Sequence, residues 1–246
     1  MKIDVLTLFP EMFSGVTGSS MQGKAAENGI LEVNLINIRD FSEDKHRKAD
    51  DAPFGGGVGM VMLADPVFRA LESAGAAGKR MLYMSPRGRI LDYEKVSELS
   101  REQELVILCG HYEGVDERVL EYWGMEEISI GDYILTGGEL AAMVLIDAVM
   151  RLIPGTLGDA RSADEESVYS GLLEYPQYTK PREYRGLCVP EVLVNGNHEL
   201  IRLWNFEQSL ILTKERRPDM FEKYIAGSGG LPKKEKKILE KVLETV

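Results

Sequence analysis

The residues best suited to chemistry lie in three glycine-containing stretches. The richest is Ser129-Ile130-Gly131-Asp132-Tyr133-Ile134-Leu135-Thr136-Gly137-Gly138-Glu139-Leu140. A short strand, 127–130, leads into it, and a long apolar helix, 140–153, leads out. A strand that turns through glycines into a helix leaves backbone N–H groups at an apolar surface, where α/β proteins commonly bind ligands. Neither G-x-G-x-x-G nor G-x-x-x-x-G-K-[ST] is present, so neither familiar phosphate cradle is expected. Thr136 and Glu139 have capping-box spacing and predict the helix start. Ile130, Tyr133 and Leu135 can form apolar walls, while Ile134 reads as core. The other two stretches are Ser85-Pro86-Arg87-Gly88 and Gly110-His111-Tyr112-Glu113-Gly114. His111 suits a wall better than a catalytic role.

Three strand-loop-helix units position these stretches. Strand 80–84 precedes the first and leads to a helix over 93–99. The continuous apolar strand 105–109 precedes the second and leads to a helix from Asp116. The 127–153 unit is the third. Alternating β and α elements predict a parallel sheet covered by helices, with all three loops at the carboxyl ends of strands. Earlier strands are expected at 3–8 and 31–38. The polar, glycine-rich connection 39–59 reads as functional or mobile. Asp65-Pro66 predicts a helix start with Asp as cap.

After Pro154-Gly155 the character changes. Residues 1–157 read as the α/β domain, 158–170 as a polar, acidic linker, and 171–246 as a smaller, mainly helical domain. By itself Asp164-Glu165-Glu166 reads as a solvated acidic loop.

The chain has 246 residues, 44% of them hydrophobic and 28% charged, as in folded soluble proteins. Its net charge of −11 argues against bulk-charge binding of nucleic acid. The charge is uneven, however. Residues 158–246 carry 14 of the 29 Lys and Arg but only 15 of the 40 Asp and Glu, so a nucleic-acid partner would lean on this third. Cys109 and Cys188 are expected to be buried thiols in a reducing, cytoplasmic setting. The apolar start, 3–9, is interrupted by Asp4 and reads as a strand rather than a signal peptide. Helix 140–153 contains Asp147 and is too short to span a membrane.

Phe9-Pro10-Glu11-Met12-Phe13, Asp51-x-Pro-Phe-Gly-Gly-Gly, Cys109-Gly-His-Tyr-Glu-Gly-Val-Asp-Glu-Arg, Ser129-Ile-Gly-Asp-Tyr-Ile-Leu-Thr-Gly-Gly-Glu and Tyr178-Thr-Lys-Pro together resemble the bacterial tRNA (guanine-N1)-methyltransferase (TrmD) family. The resemblance runs from Met1 into the final helices. It implies a SPOUT-class sheet with a deep trefoil knot and a homodimer. It also implies methyl transfer from S-adenosylmethionine to N1 of the guanosine at tRNA position 37, just 3′ of the anticodon. By position, the methyl donor is then lined by Tyr83, Met84, Ser85, Pro86, Gly110, Tyr112, Glu113 and Gly114, with Ser129, Ile130, Gly131, Asp132, Tyr133, Ile134, Leu135, Gly137 and Gly138.

Guanine N1 carries a proton at neutral pH. The reaction therefore needs a base there and a cation near O6. The resemblance assigns the cation to Arg151. The family's Asp base falls on Glu166, one methylene longer, with Asp164 and Glu165 as neighbours. For the tRNA partner the candidate cations are Lys45-His46-Arg47-Lys48, Arg161, Lys180, Arg182, Arg185, Arg202, Lys214, Arg216 and Arg217, with Ser162 and Ser167 as hydrogen-bonding partners for the guanine or its neighbour. Mg²⁺ is implied as a possible cofactor, with Glu113 as a carboxylate for it. Two alternatives are a ribose 2′-O-methyltransferase of the same class and a noncatalytic RNA-binding protein that kept the fold.

Overall fold

A computed structural model describes residues 1–156 and 170–244. Its first elements are β1 (Lys2–Thr7), α1 (Ser14–Thr17), α2 (Ser20–Glu27) and β2 (Glu32–Asn37). Next come β3 (Asp50–Asp51), β4 (Val61–Met62), α3 (Ala64–Ser73), β5 (Arg80–Ile90), α4 (Tyr93–Leu99) and β6 (Glu104–Cys109). Then follow α5 (Glu117–Trp123), β7 (Glu126–Ser129) and α6 (Glu139–Arg151). The chain divides into compact units at Met1–Ala160 and Arg161–Val246.

The first unit is built on a parallel five-stranded sheet of order β2-β1-β6-β5-β7. Its central strands are apolar on both faces, so helices must cover both. Leu105 to Cys109 are all buried. On one face Ile3, Leu82, Ile107 and Ile128 pack against Leu145, Ile146 and Val149 of α6. On the other, Leu6, Val106 and Leu108 pack with Val67, Leu71 and Val119 of α3 and α5. At about 25 cal/mol per Å² of apolar surface removed from water, this two-sided burial dominates the favourable side of folding.

Ion pairs tie the amino-terminal edge of the sheet. Lys95, almost fully buried, holds Glu98 and Glu126 at 2.7 Å each, and Arg80 holds Glu98 and Glu126 at 2.6 Å each. Lys95 and Arg80 push the Glu98 carboxyl down to about 2. Glu126 resists its own burial and also stays below the usual carboxylate range because of these cations.

Several expectations change. The stretch 85–88 is not a loop after a short strand but part of β5. The strand leaves β7 after Met84, bulges, and pairs with it again at Arg89 and Ile90. Gly88 makes this possible, because a Cβ there would collide with the backbone of Glu127 and Ile128. The Asp65 cap does not form: α3 begins at Ala64, and Asp65 binds Arg69 at 3.1 Å. Cys109 is buried, but Cys188 is exposed.

In the second unit, β8 (Glu183–Tyr184) and β9 (Leu187–Cys188) make a small hairpin ahead of α7 (His198–Arg216), α8 (Pro218–Gly227) and α9 (Lys233–Glu244). Asn197 caps α7 by accepting from the N–H of Leu200. Leu172, Leu210, Phe221, Leu239 and Val242 form this unit's own core. Among the described residues, no helix is long and apolar enough to cross a membrane.

Candidate functional site

The carboxyl ends of β5, β6 and β7 are neighbours in the sheet, so the segments leaving them meet. Between them lies a cavity of about 390 Å³, within the range of small-molecule sites. Tyr83, Met84, Ser85 and Pro86 line it from the β5 bulge, and Gly110, Tyr112, Glu113 and Gly114 from the loop after β6. Ser129, Ile130, Gly131, Tyr133, Ile134, Leu135, Gly137 and Gly138 line it from the loop after β7. Asp132 is not among the lining residues. Ile134 is not core: it is 79% exposed at the cavity mouth. Arg87, His111, Glu117 and Ala141 also line the cavity. Arg87 and His111 belong to these segments, while Glu117 and Ala141 come from the first turns of α5 and α6.

Glycine is required here by close approach. A Cβ on Gly110 would lie 2.7 Å from the Tyr83 hydroxyl oxygen. One on Gly138 would lie 2.9 Å from Cys109 Cα and 3.0 Å from Gly110 N. The Gly138 N–H donates to the Gly110 carbonyl at 2.8 Å, and His111 bridges Gly137 through the backbone. The middle loop is also tied outwards. Met62 donates to the Gly114 carbonyl at 2.9 Å, and Glu113 to the Met60 carbonyl at 2.9 Å. Burial raises the Tyr83 hydroxyl above its ordinary value, so it stays a neutral wall. Burial, then the charge of Glu139, raises the Cys109 thiol well above its usual range.

The capping box predicted at Thr136 and Glu139 is absent. Gly138 is the residue before α6, with no side-chain cap. Glu139 instead turns inward and is 1% exposed. It accepts a 2.8 Å hydrogen bond from Thr7 Oγ1 at the end of β1. A buried hydroxyl competes well for a carboxylate that would otherwise be desolvated without a partner.

Arg151 closes the last turn of α6, half-buried, where its charge suits the negative end of the helix dipole. Glu166, Arg161, Ser162 and Ser167 lie outside the described residues, as does the 158–170 linker up to 169. Lys180 is exposed in the second unit. Several other expected tRNA cations already hold acids. Arg47 pairs with Asp40 at 2.9 Å, Lys48 with Asp51 at 3.0 Å and Arg217 with Asp219 at 2.6 Å, while Arg202 pairs with Glu235.

The lining residues fit a methyl donor carrying an adenine ring: apolar walls, with glycines that let the three segments behind them pack closely. They do not make a resident metal site. Among the described residues, no three His, Cys, Asp or Glu groups cluster closely enough to hold an ion, and Glu113 contributes a single carboxylate.

A parallel sheet whose last three strands end on one glycine-walled cavity defines an α/β protein built to bind a small organic ligand. A family model described as tRNA (Guanine-1)-methyltransferase TrmD matches residues 1–223. The chain belongs to that methyltransferase family. Among its relatives, a protein of Ruminiclostridium cellulolyticum named tRNA (guanine-N(1)-)-methyltransferase is 55% identical over 226 residues, 91% of this chain and 97% of its own. Relatives with the same name occur in Pelotomaculum thermopropionicum, 52% identical over 250 residues (100% of this chain, 98% of that one), and in Carboxydothermus hydrogenoformans, 55% identical over 239 residues (97% and 92%).

Proposed function

We propose that the chain methylates N1 of the guanosine at tRNA position 37, using S-adenosylmethionine. The carrying observation is the convergence of the β5, β6 and β7 ends on one glycine-walled cavity, in a chain whose family match spans residues 1–223. S-adenosylmethionine supplies an electrophilic methyl group on a sulfonium. Glycines 110, 137 and 138 let the cavity walls close up beside it, and Ile130, Tyr133 and Leu135 cover its apolar faces. Glu166 takes the N1 proton as the N1–carbon bond forms and the carbon–sulfur bond breaks. Arg151 offsets the negative charge that this leaves on O6. Holding both partners in one place is itself worth several kcal/mol of barrier.

The finer features follow the same reading. The β5 bulge and the loops after β6 and β7 are threaded as a deep trefoil knot. Residues 171–246 form a tRNA-binding domain joined through the 158–170 linker, with Lys180 and linker residues Arg161, Ser162 and Ser167 meeting the anticodon arm. A second copy covers Leu140 and Val144, which are about half exposed on α6. The enzyme works in the cytoplasm.

The test is methyl transfer from labelled S-adenosylmethionine to tRNA transcripts with G, A or inosine at position 37, with the product nucleoside identified. N1-methylguanosine from the G transcript is expected. No product would refute the reading, and a ribose-methylated product would move the chain to another reaction. Glu166→Gln is expected to abolish transfer and leave donor binding intact. An active Glu166→Gln beside an inactive Asp164→Asn would reassign the base.

A further inference from the structure

The inward turn of Glu139 gives the cavity a feature that helix capping does not explain. Its carboxylate is almost wholly buried, and Thr7 Oγ1 holds one oxygen at 2.8 Å. Thr7 is itself fixed, since its hydroxyl accepts from the Phe9 N–H at 2.9 Å. The other oxygen faces His111 Nδ1 at 4.0 Å. That nitrogen is buried and has no hydrogen-bond partner among the described residues. The ring is held in place: Phe9 packs on it with centroids 4.9 Å apart, and Tyr112 meets it edge-on at 4.8 Å. Gly137 is the enabling residue, because a Cβ there would overlap both Glu139 Oε2 and His111 Nδ1.

A desolvated carboxylate is costly unless it is paired, and a Leu or Met would fill the same space without that cost. The groups around this one belong to three separate elements. Thr7 ends β1, His111 is in the loop after β6, and Glu139 begins α6. His111 lines the cavity, and Glu139 sits directly behind the lining residues Gly137 and Gly138.

We propose that Glu139 is a positioning residue for the donor cavity. Thr7 holds one oxygen of its carboxylate while His111 faces the other, and this arrangement sets the 110–114 and 136–138 segments against each other. A ligand in the cavity presses these segments into register and draws the His111 nitrogen onto Glu139. Thr7 and His111 therefore act through one shared carboxylate. This rests on the cavity being the donor site.

The experiment uses the full-length enzyme and the variants Thr7→Val, His111→Leu, His111→Gln and the Thr7→Val/His111→Leu double. S-adenosylhomocysteine binding is measured by calorimetry, methyl-transfer kinetics with varied donor, and melting without ligand. His111→Leu is expected to weaken binding about tenfold, the worth of the hydrogen bond to a charged group that binding completes, while Thr7→Val, whose bond is already made without ligand, should mainly lower the melting temperature. Donor KM should rise in parallel, with kcat within about twofold. The double variant should be no weaker than the worse single, because both partners act through Glu139. His111→Gln keeps an N–H donor and should restore most of the affinity.

Binding unchanged in His111→Leu, multiplicative losses in the double, or a Gln variant as weak as Leu each overturns the inference. If the wild type transfers no methyl to tRNA, the proposed function fails and calorimetry still judges the tie. An active wild type with unaltered binding in His111→Leu defeats the tie alone.

Discussion

Replacing Gly138 with alanine adds one methyl group where the loop after β7 crosses the end of β6. That methyl would lie 2.9 Å from Cys109 Cα, 3.0 Å from Gly110 N and 3.2 Å from Met84 Cβ. Comfortable carbon contacts are about 3.5–4.0 Å, so the two segments must part by roughly 0.5–1 Å. None of these neighbours is the free end of a side chain, so none can swing away. Overpacking of this kind costs about 1–3 kcal/mol. The same shift stretches the 2.8 Å hydrogen bond from Gly138 to the Gly110 carbonyl. Without ligand, the protein relieves the clash by letting the 136–138 segment move outward. A bound donor needs that segment back, so the cost appears in affinity. A 1–3 kcal/mol penalty corresponds to roughly 5- to 150-fold weaker binding. The assay is calorimetric titration of Gly138→Ala with S-adenosylhomocysteine, with thermal melting alongside. A dissociation constant within twofold of wild type, with unchanged melting, would refute the argument that backbone contact sets the cavity width.

The other predictions concern stability and reactivity. Lys95 and Arg80 hold the Glu98 carboxyl at about 2, below its ordinary 4.5. Its folded-state value is depressed, so its stabilising contribution is full above about 4.5 and fades as pH falls from there towards 2. Glu98→Gln should flatten the fall in melting temperature over that window, and an unchanged pH profile would exclude Glu98 as a source of acid lability. With a thiol reagent at neutral pH, the folded protein should lose one cysteine quickly, Cys188, and release Cys109 only on unfolding, since Cys109 is buried and its thiolate strongly disfavoured. Rapid labelling of both would contradict the packing of β6.

The parts of the fold legible in the sequence are those that one segment decides for itself. Residues 105–109 form an unbroken apolar run, and β6 is buried along that run. Asp92 and Asp116 cap α4 and α5 through their own side chains, and the Asp116 helix was expected from the sequence. The misread features depend on distant residues. Pro86 and Gly88 look like breakers, yet β5 resumes because β7 offers it a second register. Glu139 has capping-box spacing, but Thr7, 132 residues away in the chain, takes its carboxylate. Ile134 is apolar in a run of apolar residues, and periodicity cannot tell a cavity rim from a core. The site's loops were legible because glycine marks close approach, but the sheet order that makes them neighbours was not. The hairpin 183–188 gave no signal, since its strands are only two residues each.

The place of β1 in the sheet has a consequence in time. It lies between β2 and β6, with Lys2 opposite both Glu32 and Glu104. During synthesis one of its edges finds a partner early, but the other waits until β6 emerges about 100 residues later. At roughly 5–20 residues per second, that edge stays open for about 5–20 s. An apolar strand with unpaired N–H and C=O groups is a template for the wrong chain for as long as it waits. This interval is where nascent protein is most exposed to misassembly, and where slowed elongation or a crowded polysome would be felt first.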